Sequence, residues 1–405
     1  MESPKKQKVS RPIPYGRQHI TDGDISVVVE ALKSDYLTQG PRINEFEEAF
    51  AEYVGSKYAV AVANGTAALH LNAIALGVEP GKKVITTPIT FAASANCVRY
   101  CGGEVVFSDI NPDTYLLDID NVRALIESSP KGTYSGIIPV DFAGRSVDLE
   151  AFRQLADEHD LWIIEDACHA PGASFINSLG ETTKAGSGRY ADLAIFSFHP
   201  VKHIAAGEGG MITTDDQELY ERLLNLRTHG ISRDASRFQN SMDIATGHQS
   251  NASDQYPGWY MEMQELGYNY RITDFQAALG ASQLKRAEPG IARRRTIAAR
   301  YKDAFKDLKE VLDKNPGDDG HHAYHLYVIE AERRLDLYNH LRSKSIFVQI
   351  HYIPLHLMPY YKRDGVIFHQ SEAYYQRCLS LPMFPTLTDE EQEFVIDEIR
   401  RFYKQ

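Results

Sequence analysis

The stretch Ser197-Phe198-His199-Pro200-Val201-Lys202-His203-Ile204-Ala205-Ala206-Gly207-Glu208-Gly209-Gly210 sets one lysine on a short polar turn between two strand-like apolar runs, 193–198 and 209–214. Rigid backbone on both sides would hold Lys202 in place. A lysine amine attacks a carbonyl carbon only when deprotonated, and partial desolvation between packed strands lowers its pKa toward that state. Schiff-base chemistry fits the setting, whereas an isolated lysine is ordinarily a solvated surface group. The residues around the turn decide between the two.

Between residues 58 and 215, strand-like runs alternate with helical ones: 58–62, 83–87, 104–107, 136–142, 161–165 and the pair around Lys202. This alternation predicts an α/β layer with a buried, mostly parallel sheet. Upstream, Thr21 with Asp24 three residues on caps a helix carrying Ile25, Val28, Val29 and Leu32, and a second helix opens at Pro41. Helical patterns dominate 217–308, apart from the polar segment 234–257, which reads as a surface loop or flap. The C-terminal part mixes strands at 325–330 and 347–353 with helices, the last capped by Thr388 and Glu391 and carrying Val395, Ile399 and Phe402. The expected division is a flexible tail over 1–12, a large α/β domain over 13–285 and a smaller α+β domain over 286–405.

With 405 residues, 43% hydrophobic and 24% charged, the chain has the balance of a soluble globular protein. A net charge of −12 leaves no electrostatic footprint for nucleic acid or an anionic membrane, so a small-molecule substrate is expected. Cys97, Cys101, Cys168 and Cys378 have neither metal-knuckle spacing nor the density of a disulfide scaffold, which suits a reducing compartment and no metal site. Lysines at 5, 6 and 8 have no apolar run behind them, and no later run could span a bilayer; a cytoplasmic protein is the expectation.

Asp166 ends the apolar run 161–165, and ligands of open α/β sheets bind at the carboxyl ends of strands. A carboxylate there can hold a proton on a heteroaromatic nitrogen, turning a pyridine ring into an electron sink; a helix-capping acid is the plain alternative. Gly65, Thr66 and Ala67 open a helical pattern directly after a strand, so their N–H groups could face a phosphate, although small residues also start helices for packing alone. Phe91, after the strand at 83–87, offers a flat face to an aromatic ligand or simply packs in the core. Ser197 could give a hydroxyl to the same phosphate or bond to backbone. Together these residues suit pyridoxal 5'-phosphate: the aldehyde on Lys202, the ring nitrogen on Asp166, the phosphate on the Gly65–Ala67 turn with Ser197.

Several ordered motifs carry a wider likeness: 37–41 (Leu-Thr-Gln-Gly-Pro), 165–170 (Glu-Asp-Ala-Cys-His-Ala), 197–210, 267–271 (Gly-Tyr-Asn-Tyr-Arg) and 351–354 (His-Tyr-Ile-Pro). Through them the sequence resembles the DegT/DnrJ/StrS family of nucleotide-sugar aminotransferases over nearly its whole length. The resemblance implies an aspartate aminotransferase type fold, with Lys202 binding the cofactor aldehyde, Asp166 the pyridine nitrogen, Phe91 stacking on the ring and His169 near the ring hydroxyl. It implies a homodimer in which Asn269 reaches the phosphate region of the neighbouring site, and a sugar-nucleotide site formed by Tyr15, Tyr36, Leu37, Thr38, Gln349, His351 and Tyr352. Relatives with histidine in place of the lysine are sugar dehydratases; Lys202 therefore favours transamination, with glutamate as donor.

Segments 197–210 and 259–267 look most like enzymes that aminate a UDP-linked 4-keto-6-deoxy-N-acetylhexosamine in the pseudaminic acid route. Ala205-Ala206 stands where the family usually has two threonines, and 234–257 looks longer than in many relatives. Alternatives are a GDP- or dTDP-linked keto sugar, a keto-cyclitol, or a non-catalytic protein that binds the cofactor. A nicotinamide dehydrogenase is disfavoured by the lack of GxGxxG after the first strand.

Overall fold

The computed structural model describes residues 11–247, 255–317 and 319–404; most of the expected tail and the middle of the segment 234–257 lie outside the described residues. Seven strands build the main sheet: β1 (Tyr58–Val62), β2 (Lys83–Thr86), β3 (Glu104–Phe107), β4 (Gly136–Ile138), β5 (Trp162–Asp166), β6 (Leu193–Ser197) and β7 (Gly210–Thr214). Their order is β1-β7-β6-β5-β4-β2-β3. Only β7 runs against its neighbours, so the other six point their carboxyl ends to one edge.

Both faces of this sheet are covered, which is why its strands are short and continuously apolar. Along β1, Val60 and Val62 pack on one face while Ala59 and Ala61 pack on the other. Likewise Leu193 and Ile195 of β6 face one way and Phe196 the other, each burial stabilising by roughly 1.5–3 kcal/mol. The first face carries α3 (Gly65–Ala75), α4 (Ala93–Tyr100) and α7 (Gln217–Arg227); the second carries α2 (Pro41–Val54), α5 (Ile119–Glu127), α6 (Leu149–Glu158) and α8 (Asp274–Leu284). A separate core lies under the antiparallel sheet of Val311–Leu312, Tyr327–Ala331 and Cys378–Leu381. Ile13–Pro14 pairs in parallel with Ile346–Phe347, so Ile13 is buried in that core too.

Several elements differ from the sequence reading. The expected strand 136–142 stops at Ile138, because Phe142–Gly144 turns as a 3-10 helix with Ala143 in the left-handed region. The strand expected at 347–353 ends at Phe347, and Gln349 keeps a single bridge to Ser380. Helical character expected through 217–308 breaks after Arg227: Ile231–Ser232 pairs with Glu262–Met263, and 234–257 contains a 3-10 turn and the single turn Met242–Ala245, too short for a readable period.

Helix α1 (Asp22–Lys33) forms with the expected capping box, but its apolar stripe faces outward. Ile25, Val29 and Leu32 are exposed while Asp24 and Ala31 are buried. The inward face is polar because Asp24 accepts hydrogen bonds from Ser282 and Gln283 of α8, and pairs with Arg286. Hydrophobic spacing alone cannot reveal a buried polar seam.

Gly210 sets the approach of β7 to the turn after β1. A Cβ there would lie 2.6 Å from the carbonyl of Asn64 and 2.9 Å from the Gly65 nitrogen. Gly210→Ala should therefore cost about 1–3 kcal/mol in denaturant unfolding, through displaced backbone. At Gly207 a Cβ would meet nothing within 4 Å, but φ is +80°, so Gly207→Ala acts through backbone strain alone, costing about 1 kcal/mol.

Candidate active site

The carboxyl ends of β1, β2, β5 and β6 meet at one cavity of about 980 Å³. Asn64 follows β1 and caps α3, its Oδ1 accepting from the Ala67 N–H at 2.8 Å, a cap worth about 1 kcal/mol. That leaves the leading N–H groups of Gly65 and Thr66 at the helix start, beside Ser197 at the end of β6. A Cβ on Gly65 would stand 3.0 Å from the Ser197 Cβ, so the glycine keeps the anion-sized cradle open.

Asp166 lies on the cavity, almost fully buried. Its Oδ2 accepts from Ser94 Oγ at 2.6 Å and its Oδ1 from the Cys168 N–H at 3.2 Å. Such a doubly held carboxylate is fixed in direction and keeps lone pairs for a ligand. Phe91 lines the same cavity with 63% of its surface exposed, an apolar face with no protein cover.

Lys202 sits half-buried on the turn between β6 and β7 and lines the cavity. Burial lowers its pKa against the opposing pull of the Asp166 carboxylate, and the lowering raises the share of neutral nucleophile. The Cys168 thiol is pushed well up by burial and stays protonated.

His169 is buried, and burial with the nearby Lys202 drives its pKa well below the ordinary histidine range. Its Nδ1 accepts from the Ala143 N–H at 3.2 Å, so the neutral ring carries its hydrogen on Nε2, 3.1 Å from the Tyr352 hydroxyl. The rings of His169 and His325 approach to 4.3 Å. His351, pushed down to about 3 by burial, pairs through Nδ1 with Ser380 Oγ at 2.8 Å.

One cavity thus gathers Gly65, Thr66, Ala67, Phe91, Asp166, His169, Ser197 and Lys202, with Tyr15, Gln349, His351 and Tyr352 on its other walls. It does not gather Tyr36, Leu37, Thr38 or Asn269, all exposed elsewhere on the same chain. Thr38 is bridged to Thr273 and Asn269 to Thr228. Sequence reasoning passed over Ser94 and His325. Ser94 is three residues beyond Phe91 at a helix start, a spacing that could have exposed it; His325 was absorbed into a strand reading.

The arrangement fits pyridoxal phosphate: a neutralisable amine, a fixed acid, an exposed aromatic face and an open helix N-terminus on one cavity. Among the described residues no helix is long and apolar enough to cross a membrane.

Known proteins point the same way. The profile of the DegT/DnrJ/EryC1/StrS aminotransferase family matches residues 18–400. The chain is 37% identical to the spore coat polysaccharide biosynthesis protein SpsC of Bacillus subtilis, covering 98% of this chain and 99% of the relative. It is 34% identical to a UDP-4-amino-4,6-dideoxy-N-acetyl-beta-L-altrosamine transaminase of Campylobacter jejuni, covering 96% of each. Among solved structures it resembles Helicobacter pylori PseC, an aminotransferase of pseudoaminic acid biosynthesis, with a TM-score of 0.84 at 28% identity over 97% of this chain and 100% of that one. The chain belongs to the DegT/DnrJ/EryC1/StrS aminotransferase family and is a pyridoxal-phosphate-dependent sugar aminotransferase with that family's α/β fold.

Proposed function

We propose that this enzyme moves the amino group of glutamate to the 4-keto carbon of a UDP-linked 4-keto-6-deoxy-N-acetylhexosamine. The observation that carries the sugar assignment is the likeness along nearly the whole chain to the Campylobacter transaminase. A second reading, another nucleotide-linked keto sugar, draws on the higher identity to the Bacillus polysaccharide protein. Ala205 and Ala206 bear on the same choice, since they are buried beside the lysine turn and offer no hydroxyl there.

Bound pyridoxal phosphate supplies an aldehyde for amine exchange and a ring that accepts electron density. The chain's residues would divide the remaining work. Lys202 Nζ, its pKa lowered by burial, takes and returns the proton at the reacting carbon as general base and acid. Asp166, oriented by Ser94 and the Cys168 N–H, holds a proton on the ring nitrogen. The Gly65 and Thr66 N–H groups with Ser197 would bind phosphate, the Ala67 N–H being held by Asn64; Phe91 would cover a ring face, and neutral His169 keeps its Nε2 hydrogen toward Tyr352. Tyr15, Gln349, His351 and Tyr352 are assigned to the sugar nucleotide.

A homodimer would bring Tyr36, Leu37, Thr38 and Asn269 of one subunit to the cavity of the other. Support comes from their exposure together with the outward stripe Ile25, Val29 and Leu32 on α1, an apolar face of the kind that subunits cover. Within each subunit we assign the large domain to 13–285, the small one to 286–405, and a cytoplasmic location to the whole.

Purified protein with glutamate and cofactor should aminate the UDP-linked 4-keto sugar at least about tenfold faster, in kcat/KM, than GDP- or dTDP-linked ones; equal rates across the panel would reject the assignment. Lys202→Ala should abolish turnover, and Asp166→Asn should lower kcat by about a hundredfold or more. Because burial lowers the Lys202 pKa, capture of pyridoxal phosphate by the cofactor-free chain should slow as pH falls through a midpoint below the ordinary lysine range. Mixing inactive Lys202→Ala with weakened Asn269→Ala chains should restore activity above either parent, since one site of each mixed dimer then holds both native residues. No restoration would remove Asn269 from the neighbouring site.

A further inference from the structure

The cavity wall from Gln349 to Ile353 has neither helix nor strand beyond the single bridge of Gln349. Such a stretch keeps its shape only through groups that hold it from outside. On the cofactor side, the Tyr352 hydroxyl meets His169 Nε2 at 3.1 Å. From the strand Cys378–Leu381, Ser380 exchanges backbone hydrogen bonds with Gln349 at 2.8 and 3.2 Å, and its Oγ meets His351 Nδ1 at 2.8 Å.

The helix His369–Arg377 supplies two further holds. Tyr374, 2% exposed, donates its hydroxyl to the His351 carbonyl at 2.5 Å, and that carbonyl has no other donor among the described residues. The Tyr374 ring packs on Tyr115, with centroids 4.5 Å apart, and edge-on to Phe142. Glu372 Oε1 lies 3.0 Å from His356 Nε2, in the 3-10 turn Leu355–Leu357 that follows the wall. Both side chains are aimed by the tilt and rotation of the helix, so the helix must itself be fixed.

A distant residue does this. Phe368 gives the helix no side-chain cap; instead Asp109, just past β3, accepts from the Gln370 and Ser371 N–H groups at 2.9 Å each, and from the Ser371 hydroxyl. These N–H groups are ones a helix start leaves open, and a carboxylate suits the positive end of the helix. Asp109 does not line the cavity, so any influence it has on the wall passes through the helix.

We propose that the helix His369–Arg377 is the buttress of the substrate wall, with Tyr374 the positioning residue that fixes the His351–Tyr352 segment and Asp109 the positioning residue that fixes the helix. Which ligand feels the buttress rests on the reading of His351 and Tyr352 as sugar-nucleotide residues; the buttress itself does not. Gly65, Thr66, Asp166, Ser197 and Lys202 are carried by α3, β5, β6 and the turn after β6, on the other side of the cavity from this helix. Loosening the wall should therefore weaken the sugar nucleotide and spare the cofactor.

The test uses the full chain with pyridoxal phosphate, and amide hydrogen exchange read by peptide mass spectrometry reports on the wall directly. Tyr374→Phe keeps the ring packing but leaves the His351 carbonyl without its donor, so peptides covering 349–358 should exchange about tenfold faster than in the wild type, with those of α3 unchanged. Unchanged exchange at 349–358 would overturn the buttress, and so would an equal rise in α3, the mark of general loosening. Asp109→Ala should speed exchange at 369–373 and at 349–358 together; a rise at 369–373 alone would overturn the role of Asp109. Kinetics then read the consequence: Tyr374→Phe should raise KM for the keto sugar nucleotide about tenfold, with kcat and cofactor affinity each within about threefold. A wild-type KM despite faster exchange would overturn the positioning role. His351→Ala and Tyr352→Phe are measured alongside: wild-type KM in both would overturn the sugar-nucleotide reading, while exchange at 349–358 still judges the buttress. If Tyr374→Phe does not fold, Asp109→Ala decides by the same two readouts.

Discussion

The whole site hangs on one reversed strand. β7 lies antiparallel between β1 and β6, and its first residue, Gly210, faces both Val62 and Ser197. That register puts the Lys202 turn, the end of β6 and the start of α3 at one edge, where β5 delivers Asp166. The contact tolerates no side chain at Gly210, because the Asn64 carbonyl fills the space. Were β7 parallel to its neighbours, the chain would have to return to the opposite edge of the sheet before β7 began, and Lys202 would not be flanked at this edge by the end of one strand and the start of the next.

Around that edge the protein solves an electrostatic problem by sorting charge. A fixed carboxylate is needed on the cavity, yet three acidic side chains, Asp141, Glu165 and Asp166, crowd the same strand ends. Asp166 receives donors from Ser94 and Cys168, whereas Asp141 accepts from the Val147 N–H and Glu165 from the Gly186 N–H. Histidines near the lysine are kept neutral by burial, so His169 serves as a fixed hydrogen-bonding plate and adds no positive charge beside Lys202.

Much of this was legible in the sequence. Buried parallel strands are short apolar runs with polar ends, and those ends carry Gly65, Phe91, Asp166 and Ser197, so reading strand ends found the cavity. His325 was not legible, because it reads as a strand histidine until tertiary contacts are known, while Ser94 was passed over although its place three residues beyond Phe91 at a helix start could have exposed it. Helix α1 misled for the opposite reason, since its apolar stripe faces out and its buried Asp24 answers α8. Irregular stretches also resisted reading, as at Phe142–Gly144 and beyond Phe347, where the backbone turns to serve the site and leaves no period behind.

The central claim is that Lys202 is the residue to which the cofactor aldehyde attaches. Borohydride reduction of the full chain with pyridoxal phosphate, followed by peptide mass mapping, tests it most directly. The account predicts one phosphopyridoxyl group per chain, on the peptide containing Lys202. A label spread over surface lysines, or one confined to a different lysine, would contradict it.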